Sequence, residues 1–327
     1  MQPLSVITGA SGHIGYALLR ELVEKGERVR ILIRKDIPAF EGIECERVYG
    51  DVTDPDSLEE AFRGADVVYH LAGIIDINIG NDAAVWNVNF GGTKNVVEAC
   101  RKCGVRRLVY ASSVDAYVPL PGNEVMRETD SFDPDAVDGT YAKTKAAATN
   151  YVFDACRNGL DAVVVYPGAC IGPYDFKVSN VGEMVRMFMH GSFPASLSFG
   201  AYNFVDVRDV AHGMVLAAEK GRTGEGYILC GEQITTHGFI RTVAEAVGKK
   251  APRIRMGKSV VSFAAPVMEV YYKLSKTTPL FTRYTIRKLT SNCNFSSDKA
   301  RNELGYTTMS VRESVRDMVA WIRENEG

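Results

Sequence analysis

The chain has 327 residues, 46% of them hydrophobic and 24% charged, and its 38 basic against 40 acidic side chains leave a net charge of −2. That much apolar surface can fill one large core or two joined ones, which excludes a disordered or collagen-like chain. No block of five or more like charges occurs, so a small molecule is the expected partner rather than nucleic acid or a membrane.

In chain order, short β-branched runs alternate with helical patterns. Leu4–Thr8 reads as a strand, Tyr16–Lys25 as a helix, Arg28–Ile33 as a strand, Ser57–Arg63 as a helix and Asp66–Leu71 as a strand. A helix near Val85–Lys102, a strand at Leu108–Ala111, a helix at Tyr141–Arg157 and a strand at Asp161–Tyr166 continue the rhythm. Apolar strands separated by helices predict a parallel sheet covered on both faces, a doubly wound α/β fold. Residues 1–167 are expected to form this domain. After Pro167 the rhythm breaks and aromatic residues cluster, which predicts a smaller, partly helical substrate region over 168–327, with about 203–220 returning to the first domain. Strands are expected at Asn203–Val207 and Tyr227–Cys230, and helices at Val210–Glu219 and Gly238–Val247. The Pro- and aromatic-rich stretch Ala251–Leu289 is the least regular part.

Seven cysteines at 45, 100, 103, 156, 170, 230 and 293 lack metal-finger spacing. Cys100 and Cys103 form one C-x-x-C, but it lies in a helical stretch with no second pair, so helix packing is expected and no metal site. The first eight residues carry no secretion signal, and the apolar run Val260–Tyr272 is broken by Ser262, Pro266 and Glu269. A cytoplasmic protein with reduced thiols is the expectation.

The segment Thr8-Gly9-Ala10-Ser11-Gly12-His13-Ile14-Gly15 follows the first strand and opens the first helix. Glycines at 9, 12 and 15 allow a tight turn, close approach to a pyrophosphate and close helix-to-strand packing, while the helix N-terminus offers N–H groups to phosphate. This is a Rossmann dinucleotide fingerprint, and it brings Ser11, His13 and Ile14 to the cofactor. NAD-binding chains place an acid at the end of the second strand. Here that position is Ile33, followed by Arg34 and Lys35, two cations suited to a 2′-phosphate. NADP(H) is therefore the expected cofactor, with NAD(H) the alternative. Asp51 and Val52 are expected over the adenine, and Leu71, Ala72 and Gly73 beside the pyrophosphate.

Tyr141 and Lys145 stand one helical turn apart on one face. A phenol near pKa 10 is a poor acid or base at neutral pH, and a nearby ammonium is expected to lower that value and match it to a forming alkoxide. Ser112-Ser113 follows the strand Leu108–Ala111, which predicts a hydroxyl at the carboxyl end of the sheet, where ligands bind.

Together with His70-Leu71-Ala72-Gly73, Asn89-Phe90-Gly91-Gly92-Thr93, Pro167-Gly168-Ala169-Cys170-Ile171-Gly172-Pro173 and Phe204-Val205-Asp206-Val207-Arg208-Asp209-Val210, these segments resemble the extended short-chain dehydrogenase/reductase family, also called the NAD-dependent epimerase/dehydratase family. The resemblance implies that Tyr141 is the general acid/base, that Lys145 assists it and bonds the nicotinamide ribose, and that Ser113 polarises the carbonyl. It implies that Asn89 braces the central helix beside the cofactor, and that Pro167 and Gly168 lie by the nicotinamide. Asp115, Tyr174 and Tyr202 are candidate substrate residues.

Two enzyme classes share this apparatus, and a non-catalytic sensor is a third reading. Sugar-nucleotide epimerases or dehydratases of the family usually carry an arginine where Tyr202 stands; Arg208 is a substitute, unless it forms a structural salt bridge. The basic Arg34 and the run Val29-Arg30 to Ile33-Arg34 resemble instead the dihydroflavonol 4-reductase-like branch, which reduces ketones or aldehydes. Aromatic residues after Pro167 then fit a small apolar or aromatic substrate, or simply core packing. A catalytically idle NADP(H) sensor would need neither Ser113, Tyr141 nor Lys145. The helices near 85–102 and 141–157 carry apolar residues on more than one face and are expected at the interface of a homodimer, although burial within the subunit explains that pattern nearly as well.

Overall fold

A computed structural model describes residues 3–75, 82–191, 195–263 and 283–326. Most of the apolar run at 260–272 lies outside these residues. No helix among them is long and apolar enough to cross a membrane.

Twelve strands occur among the described residues, in chain order: β1 (Leu4–Thr8), β2 (Arg28–Ile33), β3 (Glu46–Tyr49), β4 (Val67–His70), β5 (Arg107–Ala111), β6 (Ala162–Pro167), β7 (Ala169–Ile171), β8 (Ala195–Leu197), β9 (Ala201–Asp206), β10 (Gly226–Leu229), β11 (Gln233–Thr235) and β12 (Ile254–Met256). Seven form one parallel sheet in the order β10-β6-β5-β4-β1-β2-β3. The chain runs outward from β1 through β2 and β3, then restarts on the other side at β4. The crevice at the carboxyl ends of β1 and β4 is thus the topological switch point, where such sheets bind ligands.

Burial on both faces explains the unbroken apolar strands, since every residue of β1, β4 and β6 is buried. One face packs beneath the helices α2 (Pro55–Phe62), α4 (Gly92–Cys103) and α5 (Thr140–Arg157), with Leu58, Val96, Cys100 and Val152 in a common core. The other packs beneath α1 (His13–Glu24) and α7 (Val207–Lys220) through Leu18, Leu19, Leu22, Val210 and Met214. Burying one such leucine contributes about 1.5–3 kcal/mol. Asp54 caps α2 by accepting from the Asp56 N–H, with Pro55 in the first turn, and Gly104 ends α4 at φ 64°. Those are the start and stop devices of a helix whose interior is set by its apolar stripe.

The expected helix at 85–102 is in fact three pieces. The helix α3 (Asp82–Trp86) passes through a π turn at Asn87–Gly91 before α4 begins, and the turn carries Asn89 inward, 1% exposed. Within α4, Cys100 is buried in the core and Cys103 donates to the Glu59 carbonyl, as helix packing requires. The first domain also takes more from the C-terminal half than the 203–220 segment. The strand β10 pairs with β6 and is wholly buried, and Leu304 and Tyr306 join the α1/α7 core. A fully apolar β6 cannot serve as an exposed edge, so the seventh strand must come from downstream.

The remaining strands form two small sheets, β11-β9-β7 and β12-β8. With α6 (Asn180–Met189), α8 (Thr236–Val247) and the last helix Val311–Asn325 they enclose a third core that includes Val185, Phe204, Phe239 and Met318.

Candidate active site

Glycine is required at both ends of the phosphate loop. A Cβ on Gly9, which has φ 83°, would fall 2.6 Å from the Ala72 nitrogen, and one on Gly15 would fall 2.2 Å from the Gly9 carbonyl oxygen. The first contact presses Leu71-Ala72-Gly73 against the loop, where the Thr8 hydroxyl also accepts from the Ala72 N–H at 3.3 Å. Gly12 precedes α1, and no side chain caps the helix. The N–H groups of His13, Ile14 and Gly15 therefore lack intrahelical partners and suit a pyrophosphate. This cradle fits a dinucleotide.

At the end of β2, Arg34 is 74% exposed and its nearest carboxylate, Asp51, is 3.9 Å away. The Asp51 carboxylate accepts from the Thr53 N–H and hydroxyl, while Val52 packs where a Cβ on Gly92 would strike it. Lys35 lies beside them and forms no ion pair among the described residues. Asn89 donates both amide hydrogens inward, to the Ile74 carbonyl and the Thr144 hydroxyl, and accepts from the Ile74 N–H at 2.7 Å. It ties the π turn to α5.

Ser113 lies two residues past the end of β5, its hydroxyl accepting from the Asp115 N–H at 3.1 Å. Tyr141 lies on the first turn of α5 within reach of Ser113, whose hydroxyl supports the phenolate. Lys145, one turn on, is 5% exposed; its ammonium donates to the Ala111 carbonyl at 2.7 Å and sits 4.9 Å from the Tyr110 ring centre. The expected lowering of the tyrosine pKa is reversed. Burial and the Asp115 charge raise Tyr141 above a free phenol, against a smaller opposing effect of Ser113. Burial also pushes Lys145 down to about 7, which weakens it as a charge partner. Desolvation is the leading cause of both shifts, and Lys145 is not among the causes that lower the Tyr141 pKa.

Tyr141 and Ser113 open onto a cavity of about 350 Å³, within the range of small-molecule sites. Met184, Leu197, Tyr202, Phe204, Phe239 and Ile240 are part of its apolar wall, and Gly168 also lines it. Pro167 ends β6 next to it. Of the expected substrate residues, Asp115 and Tyr202 line the cavity and Tyr174 does not. Tyr174 packs 5.2 Å from the Tyr16 ring and beneath Arg20, at the outer side of α1. Lys288, which pairs with Asp115 at 2.7 Å inside the cavity, was not legible in sequence. It comes from the least regular stretch, where it is the sixth residue of the helix Arg283–Thr290. Arg208 is held by Asp206 and Asp317 at 2.8 and 2.9 Å, so it is a structural salt bridge, and no arginine is among the described residues of the cavity wall.

A glycine cradle at the switch point of a parallel sheet, with a serine, tyrosine and lysine converging beside it, defines a dinucleotide-dependent enzyme. The chain belongs to the NAD-dependent epimerase/dehydratase family, whose profile matches residues 5–230, and is an NAD(P)-dependent oxidoreductase of the extended short-chain type. It is 35% identical to sterol demethylase protein B of Methylococcus capsulatus, over 98% of each chain. A putative dihydroflavonol 4-reductase of Synechocystis is 29% identical over 98% of this chain and 94% of its own. A 3-beta-hydroxysteroid dehydrogenase of Mycolicibacterium neoaurum is 30% identical over 94% and 88%. Among solved structures, gox2253 superposes with a TM-score of 0.86 at 33% identity and 98% coverage of both chains.

Proposed function

We propose that the protein interconverts a ketone and a secondary alcohol on an apolar, sterol-like substrate, with NADP(H) as the preferred cofactor. The observation that carries this reading is the apolar cavity ending at the Tyr141 and Ser113 hydroxyls. Its walls suit a ring system whose one polar group reaches those two hydroxyls, and relatives named for sterols and hydroxysteroids support the same substrate class. A bound nicotinamide dinucleotide supplies or accepts the hydride. The chain's own residues do the rest: Ser113 donates to the substrate oxygen and polarises it, and Tyr141 transfers the proton to that oxygen in reduction. Lys145 holds the nicotinamide ribose and, when protonated, favours the phenolate needed for oxidation.

Following NADPH absorbance with 3-ketosteroids, dihydroflavonols and short ketones tests the assignment. Turnover of an apolar ring ketone is expected; conversion of a nucleotide sugar with no ketone reduced would overturn it. The wild type is expected to bind NADPH more tightly than NADH, and Arg34→Ala to narrow that gap by ~1–3 kcal/mol, the range of a charge-assisted hydrogen bond. Equal affinity of the wild type for both cofactors would refute the preference.

A homodimer built on the α4/α5 face belongs to this proposal, as does a cytoplasmic location for a chain whose seven cysteines are all unpaired. Trp86, 37% exposed, and Phe90 and Tyr151 meet edge to face there, with Lys94 beside both of the latter. Sedimentation at micromolar concentration is expected to give twice the chain mass of 35.9 kDa; one chain mass would dispose of the dimer.

A further inference from the structure

After β7 the chain turns back across the phosphate loop instead of running directly into α6. His13 donates from Nε2 to the Pro173 carbonyl at 2.8 Å. Phe176 packs edge-on against Tyr16, 5.0 Å between ring centres. Between them Asp175, 2% exposed, accepts from the Ser179 N–H and hydroxyl at 2.9 and 2.8 Å and faces Arg186 at 3.8 Å. The acid of this turn is therefore engaged with α6 and not with the lysine that follows it. Tyr174 at φ 74° and Val178 at φ 48° are the positive-φ residues other than glycine in the described backbone. A left-handed valine is a strained conformation, kept only where surrounding contacts impose it. The two strained positions bracket Lys177.

The strained turn delivers Lys177 to the cofactor end of α1, where its ammonium donates to the Ser11 hydroxyl at 3.0 Å. Arg34 and Lys35 are close enough that, after burial, they are the next causes disfavouring its charge. Among the described residues no carboxylate lies within ion-pair distance of Lys177. Three cations from two distant parts of the chain thus lie near one another, with Lys177 on the loop hydroxyl, and among the described residues Asp51, at 3.9 Å from Arg34, is the carboxylate within ion-pair distance of any of them. Such a cluster is electrostatically unfavourable by itself and is relieved by an anion.

We propose that Lys177 is a ligand of the adenosine 2′-phosphate, carried to the phosphate loop by the strained turn Tyr174–Val178, so that cofactor discrimination is shared between β2 and the C-terminal region. This rests on the NADP(H) reading above. The turn leads directly into α6, whose Asn180, Val181 and Met184 line the substrate cavity, which places the 2′-phosphate contact and one wall of that cavity on one continuous segment.

Fluorescence titration with NADPH and with NADH separates the possibilities. The wild type is expected to prefer NADPH. Lys177→Met is expected to weaken NADPH binding about 10- to 100-fold while leaving NADH within about twofold, and Lys177→Arg to keep the preference. A wild type that binds both cofactors equally would overturn the NADP(H) reading and this assignment with it. A wild type that prefers NADPH, with an unchanged NADPH-to-NADH ratio in Lys177→Met, would overturn the assignment of Lys177 alone, including the case where both affinities fall together. If Lys177→Met does not fold, amine modification of the wild type mapped by mass gives the same decision. Protection of Lys177 by 2′,5′-ADP but not by 5′-ADP supports the proposal, and equal modification in both refutes it.

Discussion

Tyr141→Phe is expected to lower turnover by ~10²–10⁴-fold, the contribution of a positioned general acid or base, while the cofactor dissociation constant stays within about twofold. The substitution removes one hydroxyl and leaves the ring in place on α5. Loss confined to turnover, with cofactor binding intact, is what an interaction made only in the transition state predicts. Burial and Asp115 hold the Tyr141 pKa above that of a free phenol, so the donor keeps its proton through neutral and mildly alkaline pH. Reduction should therefore show no decline from loss of this proton below about pH 9, and should fall only as pH rises through the elevated value. Oxidation, which needs the phenolate, should gain over the same alkaline range. A Tyr141→Phe enzyme with near-normal reduction of a confirmed substrate would show that the proton comes from elsewhere.

Lys145→Met is expected to reduce both turnover and cofactor affinity, because in the proposed mechanism it removes the ammonium that assists Tyr141 and a ribose contact together. It also makes a prediction for the cofactor-free protein. The folded Lys145 titrates at about 7 against an ordinary value of 10.5, so between these pH values the unfolded chain holds a proton that the folded chain does not. Stability contributed through this group therefore rises with pH across that window, and the full cost of the buried lysine is felt below it. The gap corresponds to roughly 4–5 kcal/mol as an upper figure. Denaturant unfolding of the wild type at pH 6.5 and pH 9.5 should show part of that rise, and Lys145→Met should lack it. The same pH dependence in both proteins would mean that the buried lysine is not the source. A site that gains stability on losing a functional residue is a common trade at catalytic centres.

The serine, tyrosine and lysine of the proposed site were readable because their geometry is local. A tyrosine and a lysine four residues apart share a helix face whatever the fold, and a serine just past an apolar strand must stand at the end of that strand. The glycines at 9, 12 and 15 likewise announce a turn between strand and helix, and the structure shows the close approaches that require two of them. Tyr174 went to the wrong place for the opposite reason. An aromatic residue in an irregular region packs where tertiary contacts take it, and here a left-handed backbone turns it onto Tyr16 instead of into the cavity.

By itself the sequence determined the alternating strands and helices, the dinucleotide cradle and the serine–tyrosine–lysine set, all encoded within a few residues by periodicity, turn chemistry and helical spacing. Only the tertiary structure decided what depends on distant segments meeting. Lys177 reaches Ser11 across 166 residues and Lys288 reaches Asp115 across 173. The seventh strand arrives from beyond the first domain because β6 leaves an apolar edge to cover. The direction of the Tyr141 pKa belongs to the same class. Spacing places an ammonium near a phenol, but the sign follows from how far both are removed from water, and desolvation is a property of the whole fold.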